Sequence, residues 1–225
     1  MKPIFVPSAG PGDWQRFLAD PERHWVSGRS AKTLAHCWEG AEGFPPEVLA
    51  VLAQAPAFKN ITPLFIVPEW KVPLPGGSTE SQSDAWVLAK SESGLVSITV
   101  EGKVEESFDK PLGEWKTKAS PGKITRLEYL ADVLGLSHPI PDTIHYQLLH
   151  RTASAVIEAN RFGATHAAML VHSFSPTNQW FTEFKDFVAL FGATATIGKL
   201  CTVKAKDNLP LHLAWIHGDE RFLKA

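Results

Sequence analysis

Two alternating runs separated by a turn signal constrain this chain more than anything else in it. Leu95–Val104 is rich in β-branched residues, Gln82–Ala89 carries Trp86-Val87-Leu88, and Ser91-Glu92-Ser93-Gly94 lies between them. Runs of this kind around a Ser/Gly cluster read as a β-hairpin. The second run divides by parity. Val96, Ile98, Val100, Gly102 and Val104 share one face, and Ser97, Thr99, Glu101 and Lys103 share the other. A two-residue loop at Glu92-Ser93 sets Asp84 opposite Glu101, whereas a loop at Ser93-Gly94 sets it opposite Lys103. Both registers keep the three charged groups on one face, because side chains alternate with period two.

A carboxylate facing a carboxylate across two strands is destabilising. At ~4 Å and an effective dielectric of about 20 the repulsion is on the order of 4 kcal/mol. A divalent cation reverses its sign. Oxygen ligands on neighbouring strands suit a hard ion such as Mg²⁺ or Mn²⁺. Lys103, two residues along the same face, would then neutralise phosphate charge or orient a metal-bound water. Gln82 shares the face of Asp84 and is a candidate substrate contact.

The remaining pattern is α/β. Residues 1–29 are rich in Pro, Gly and Trp and form an N-terminal extension with a short helix at 13–19. Helices are expected at 31–42 and 47–54, and a strand from Leu64 that extends towards Val72. After the hairpin, residues 105–122 read as a long loop. Helices follow at 124–135 and from Asp142 or Thr143 to Phe162, where Gly163 is a stop signal. A short buried strand at 167–172, a helix at 180–191, and strands at 194–204 and 211–217 complete the order. The expectation is a single domain over 1–225: a mixed central sheet flanked by helices, with a core at 30–205 and a C-terminal strand and tail at 206–225.

Asp84 on one strand, followed by Glu101-Gly102-Lys103 on the next, resembles the signature of the PD-(D/E)XK phosphodiesterase superfamily, which has the restriction-endonuclease-like fold. Glu-x-Lys also occurs at Glu69, Glu114 and Glu183, but only the Glu101 copy ends an alternating strand whose partner carries an Asp. Ser83 stands where the name-giving proline would be. The resemblance would cover residues 30–205. It implies a Mg²⁺- or Mn²⁺-dependent nuclease with Asp84 and Glu101 as metal ligands, DNA as substrate and Lys103 in a catalytic role. It further implies an acidic ligand on the preceding helix, for which Glu39 is the candidate. Some members carry Gln-x-x-x-Tyr on the helix after the catalytic strands. Here Gln147 and Arg151 occupy those positions, and both are candidate substrate contacts. Tyr146–Gly192 also resembles an uncharacterised bacterial domain family of unknown function.

Each candidate has a plainer alternative. Glu39 is equally a solvated helical acid, Gln147 and Arg151 a structural polar stripe, and Trp86 a packing residue rather than a base-stacking one. Eight Trp and nine His are many, but the histidines lack the spacing of a zinc site. A net charge of −2 argues against strong nonspecific nucleic-acid binding, although Lys110, Lys116, Lys118, Lys123 and Arg126 cluster in sequence. No apolar run reaches the length of a membrane span. Two cysteines make no disulfide framework, and a cytoplasmic location is the default. The oligomeric state is not encoded in any pattern. The competing expectation is a catalytically silent binding protein on the same fold, in which Asp84 and Glu101 are paired to cations of the protein itself.

Overall fold

Period-two patterning over 62–103 builds three consecutive antiparallel strands. In the computed structural model, which describes Ile4 and residues 8–225, these are β1 (Thr62–Val72), β2 (Ser81–Ser91) and β3 (Gly94–Lys103). The hairpin closes at Ser91↔Gly94, and Ala85 pairs with Val100. This is the register of the Glu92-Ser93 loop, which continues to Asp84 facing Glu101. β4 (His166–Ser173) runs parallel to β3, and β6 (Pro210–His217) parallel to β4. β5 (Cys201–Lys204) pairs antiparallel with β6. Among the described residues the sheet has six strands in the order β1-β2-β3-β4-β6-β5. It is a mixed sheet flanked by helices, as expected. β6 lies between β4 and β5, so the strand expected within a C-terminal tail is an interior strand of the sheet.

The helices are α1 (Pro21–His24), α2 (Ser30–Glu39), α3 (Pro46–Leu52), α4 (Leu112–Trp115), α5 (Pro121–Leu134), α6 (Tyr146–Phe162) and α7 (Phe181–Ala189), with a 3₁₀ segment at Pro11–Phe17. The crossover between parallel β3 and β4 contains α4, α5 and α6, of which α6 packs on both strands. α6 stops at Gly163, whose φ of 63° places it in the left-handed region that glycine enters without steric cost.

Parity sorts the sheet into two cores. Val96, Ile98, Val100, Ala168, Leu170 and Ile216 pack with Leu34 and Trp38 of α2 and with Val48 and Leu52 of α3. Ala167, Met169, Val171, Leu213 and Trp215 pack with α5, α6 and α7. The polar face of β3 lies beneath α6 rather than in solvent: Thr99 Oγ1 donates to the Arg151 carbonyl at 3.0 Å, and Ser97 Oγ accepts from Trp86 Nε1 at 3.0 Å. The N-terminal extension is tied into the α2 core by buried Trp14. No helix among the described residues is long and apolar enough to cross a membrane.

Candidate active site

The hairpin register and α6 bring most of the expected residues to one place. Gln82 and Asp84 from β2, Glu101 and Lys103 from β3, and Gln147 and Arg151 from α6 line one cavity of about 500 Å³. Glu101 and Lys103 form its floor and are 2% and 3% exposed, while Asp84 is half-buried. One oxygen of Glu101 accepts from Lys103 Nζ at 2.7 Å, and the other accepts from Arg151 Nε at 2.7 Å. Lys103 Nζ also donates to Gln147 Oε1 at 3.1 Å and sits 4.8 Å from the centre of the Phe108 ring.

Asp84 is placed by the small size of its neighbour. Gly102 N donates to Asp84 Oδ2 at 2.7 Å, and a Cβ built on Gly102 would lie 3.2 Å from that oxygen and 3.4 Å from the Leu34 side chain. A larger residue at 102 would have to displace one of them.

Glu39 does not reach this cavity. The helix that carries it packs on the 3₁₀ segment, and its buried carboxylate accepts from Trp14 Nε1 at 2.9 Å and Ser8 Oγ at 2.6 Å. Its expected role as a metal ligand is therefore corrected: this acid holds the N-terminal segment against α2. A different carboxylate stands in the cavity. Glu69 lies on β1 between Pro68, paired with Ala85, and Trp70, paired with Ser83. It therefore sits across from Asp84. Its φ of 52° is left-handed, a strained conformation for a non-glycine residue within a strand. Gln82 Nε2 donates to Glu69 Oε2 at 2.8 Å. The sequence signal for Glu69 was another Glu-x-Lys beyond Pro68, in a segment whose strand register could not be read.

The three acids differ in their electrostatics. Burial and the charge of Glu101 push the Asp84 carboxyl up to about 7, although Arg151, Lys103 and the Gly102 N–H act in the opposite direction. Glu69 is held well above the ordinary carboxylate range by burial and by Asp84. Burial acts on Glu101 in the same upward direction, but Lys103 and Arg151 outweigh it and hold the group below its usual value. A fourth carboxylate on the cavity, Glu106, accepts from the Ser30 and Val104 N–H groups and is held below its usual value, so Asp84 and Glu69 are the two acids whose charged form the site disfavours.

Other candidates resolve as structural. Trp86 is buried against Trp70, with ring centroids 5.0 Å apart, and against Phe162. Lys110 pairs with Glu114 and Lys116 with Asp142. Lys123 caps the Trp115 carbonyl, and Arg126 donates to the carbonyls of Leu74, Pro75 and Gly77. That sequence cluster therefore presents no shared basic surface to the cavity.

On the opposite face of the sheet, Cys37, Glu47 and His172 offer donor atoms within 4.8 Å of one another. Trp38 Nε1, which can only donate, lies 3.2 Å from His172 Nδ1. Nδ1 therefore accepts, and Nε2 carries the proton it donates to Glu47 Oε1 at 3.1 Å. With Nε2 protonated, the ring has no lone pair left for a metal, and the Cys37 thiol, raised by burial and by Glu47, stays protonated. This trio is a closed hydrogen-bond network.

Comparison with known proteins gives one match. Residues 7–220 match the model of DUF6946, a domain of unknown function. The chain belongs to this family. No curated protein and no solved structure matches it. The family description assigns no activity, so the chemistry of this DUF6946 chain rests on its cavity.

Proposed function

We propose that this chain is a metal-dependent phosphodiesterase, a nuclease acting on DNA. The observation that carries the reading is the convergence of Asp84, Glu101 and Lys103 from two adjacent strands on one cavity, beneath a helix that adds Gln147 and Arg151. The mixed sheet, with a helix before three antiparallel strands and helices leading to a parallel strand, is compatible with the restriction-endonuclease-like core that the motif resembles.

The donor set fits a hard cation. All candidate ligands are carboxylate oxygens, and a divalent ion would favour the charged form of Asp84 and Glu69 that burial and their acidic neighbours now disfavour. Asp84 and Glu101 would hold it, with Glu69 in the place expected for Glu39. Bound Mg²⁺ or Mn²⁺ supplies Lewis-acid polarisation and a more acidic water. The protein's own groups do the rest. Lys103, held by Glu101 and Gln147, presents an ammonium group to a phosphate oxygen. Arg151 offers the guanidinium nitrogens that Glu101 leaves free, and Gln82 fixes the Glu69 carboxylate.

The test is cleavage of single- and double-stranded DNA and of RNA, with Mg²⁺, Mn²⁺ or EDTA. Cleavage is expected only with metal, with a loss of roughly 100-fold or more in Lys103→Ala, in the range for removing a charge-stabilising group. A parent protein that cleaves nothing under these conditions overturns the reading.

One observation favours a second reading. Both oxygens of Glu101 are already occupied by Lys103 and Arg151, as a catalytically silent binding protein would have them. Calorimetry separates the two. Binding heat from Mg²⁺ or Mn²⁺ that disappears in Asp84→Asn supports the enzyme, and no heat in the parent supports the silent protein.

A further inference from the structure

The walls of the cavity carry information that its floor does not. One wall is α6, through Gln147 and Arg151. A second part of the lining is the segment from Leu18 to Ala31, which contributes Leu18, Ala19, Arg23, His24 and Arg29. This segment is anchored rather than loosely laid over the site. Trp14 is buried and bonded to Glu39, Gln82 Nε2 donates to the Phe17 carbonyl at 3.3 Å, and Asp20 caps α1 through the Arg23 N–H. Arg23, His24 and Arg29 are exposed at the rim. Among the described residues, neither rim arginine is held in an ion pair.

We infer that the ligand of this cavity is a nucleotide-sized phosphodiester, either free or at the end of a single strand, and that Arg23 and Arg29 engage its phosphates. The inference rests on the phosphodiesterase reading for the chemistry of the floor, and it adds the substrate class. Three observations carry it. The floor groups Glu101 and Lys103 are almost wholly buried, so a phosphate must descend into the cavity to meet them. A duplex keeps its phosphates on the outside of a stiff rod and would rest on the rim. A volume of about 500 Å³ matches sites for single small ligands. The electrostatics agree: duplex-binding proteins neutralise about 6–10 phosphates, whereas this rim offers two arginines on a chain of net charge −2. Among the described residues no Phe, Tyr or Trp lines the cavity, and His24 at the rim is the one ring available to a base, so recognition is expected to be largely indifferent to sequence.

The experiment uses the full chain in Ca²⁺. Fluorescence anisotropy is measured with a labelled ten-residue oligothymidylate and with a duplex of the same length closed by a loop at both ends. Thymidine 5′-(p-nitrophenyl phosphate) serves as competitor. The single strand is expected to bind at least tenfold more tightly than the closed duplex. The slope of its salt dependence should be steeper in the parent than in the double arginine variant by about 1.4, the value for two phosphate contacts on a single strand. Arg23→Gln with Arg29→Gln is expected to weaken binding at least tenfold and flatten the slope, with an unchanged melting temperature because both side chains are exposed. A competitor as effective as the oligomer identifies a free nucleotide ester as ligand, and a weaker competitor identifies a strand end. Equal or tighter binding of the closed duplex, or no effect of the double substitution, overturns the inference. The two readings fail separately. Cleavage of closed duplex as fast as single strand sinks this one and leaves the nuclease standing. Arginine-dependent single-strand binding without any metal-dependent cleavage does the reverse.

Discussion

Asp84 is a residue that stability alone would not select. Its carboxyl is raised from 3.8 to about 7 in the folded chain, first by burial and then by Glu101. A group whose folded pKa lies above its unfolded value favours the fold when protonated and loses that contribution as pH rises. For Asp84 the loss runs from about pH 4 to pH 7 and is complete above it. Asp84→Asn keeps an acceptor for the Gly102 N–H and removes the charge. The variant is therefore expected to be more stable than the parent by about 1–2 kcal/mol at pH 8, after discounting for the half-exposed position and the coupling to Glu69. The advantage should vanish near pH 4. Thermal denaturation at both pH values checks it. Adding Mg²⁺ at pH 8 should raise the parent's melting temperature and leave that of Asp84→Asn unchanged. A parent more stable than the variant at pH 8 without metal would mean that a cation of the protein already neutralises Asp84.

At the scale of elements, the hairpin was legible because two independent signals agreed. The parity of Val96, Ile98 and Val100 fixed which face of β3 is apolar, and the Ser/Gly turn offered two registers with a two-residue loop, of which Ser91↔Gly94 is the one formed. The end of α6 was legible in Gly163 for the same local reason. What failed depended on tertiary partners. The strand expected over 194–204 is formed only at Cys201–Lys204, because the chain turns before it, with Gly198 at a φ of 71° and the Lys199 N–H bonded to the Thr196 carbonyl, and the Leu200 N–H is taken by Gln54 Oε1. Glu69 was hidden because Pro68 interrupts the pattern of β1. Glu39 was misplaced because a helix position does not reveal which neighbouring segment will cover it. Its contact joins two elements, the 3₁₀ segment and α2, and gives a prediction at this scale. Glu39→Ala leaves the buried Trp14 N–H without its acceptor, at a cost of about 1–3 kcal/mol, whereas Glu39→Gln retains an acceptor and should cost less. Denaturant titration measures both. The heat of Mg²⁺ binding should survive in Glu39→Gln, and its disappearance would return Glu39 to the metal site.

The whole molecule carries an acid sensitivity distributed over both faces of its sheet. His212 accepts or donates through both ring nitrogens, to His166 and Thr202 at 3.0 Å each, with the Phe58 ring 4.4 Å away. Burial, then the neighbouring His166, lowers its pKa to about 4. Burial also lowers His166 and His172, and it lowers His150, against α6, well below the usual value. Below pH 6.5 the unfolded chain takes up protons at these positions while the native state does not, so stability falls as pH drops. For His212 the fall begins near 6.5 and levels off below about 4, with a limiting size of about 3 kcal/mol. Asp84 acts in the opposite sense over pH 7 to 4, which flattens the upper part of this limb. Removing that opposition should steepen it: between pH 7 and 5 the melting temperature of Asp84→Asn should drop more than that of the parent. His212→Gln, which keeps polar atoms towards Thr202 and His166, should begin from a lower melting temperature at pH 7.5 and lose less on acidification to pH 4.5. Calorimetric melting of the three proteins across this range decides the matter, and equal slopes for parent and His212→Gln would show that His212 is not among the groups that drive acid unfolding.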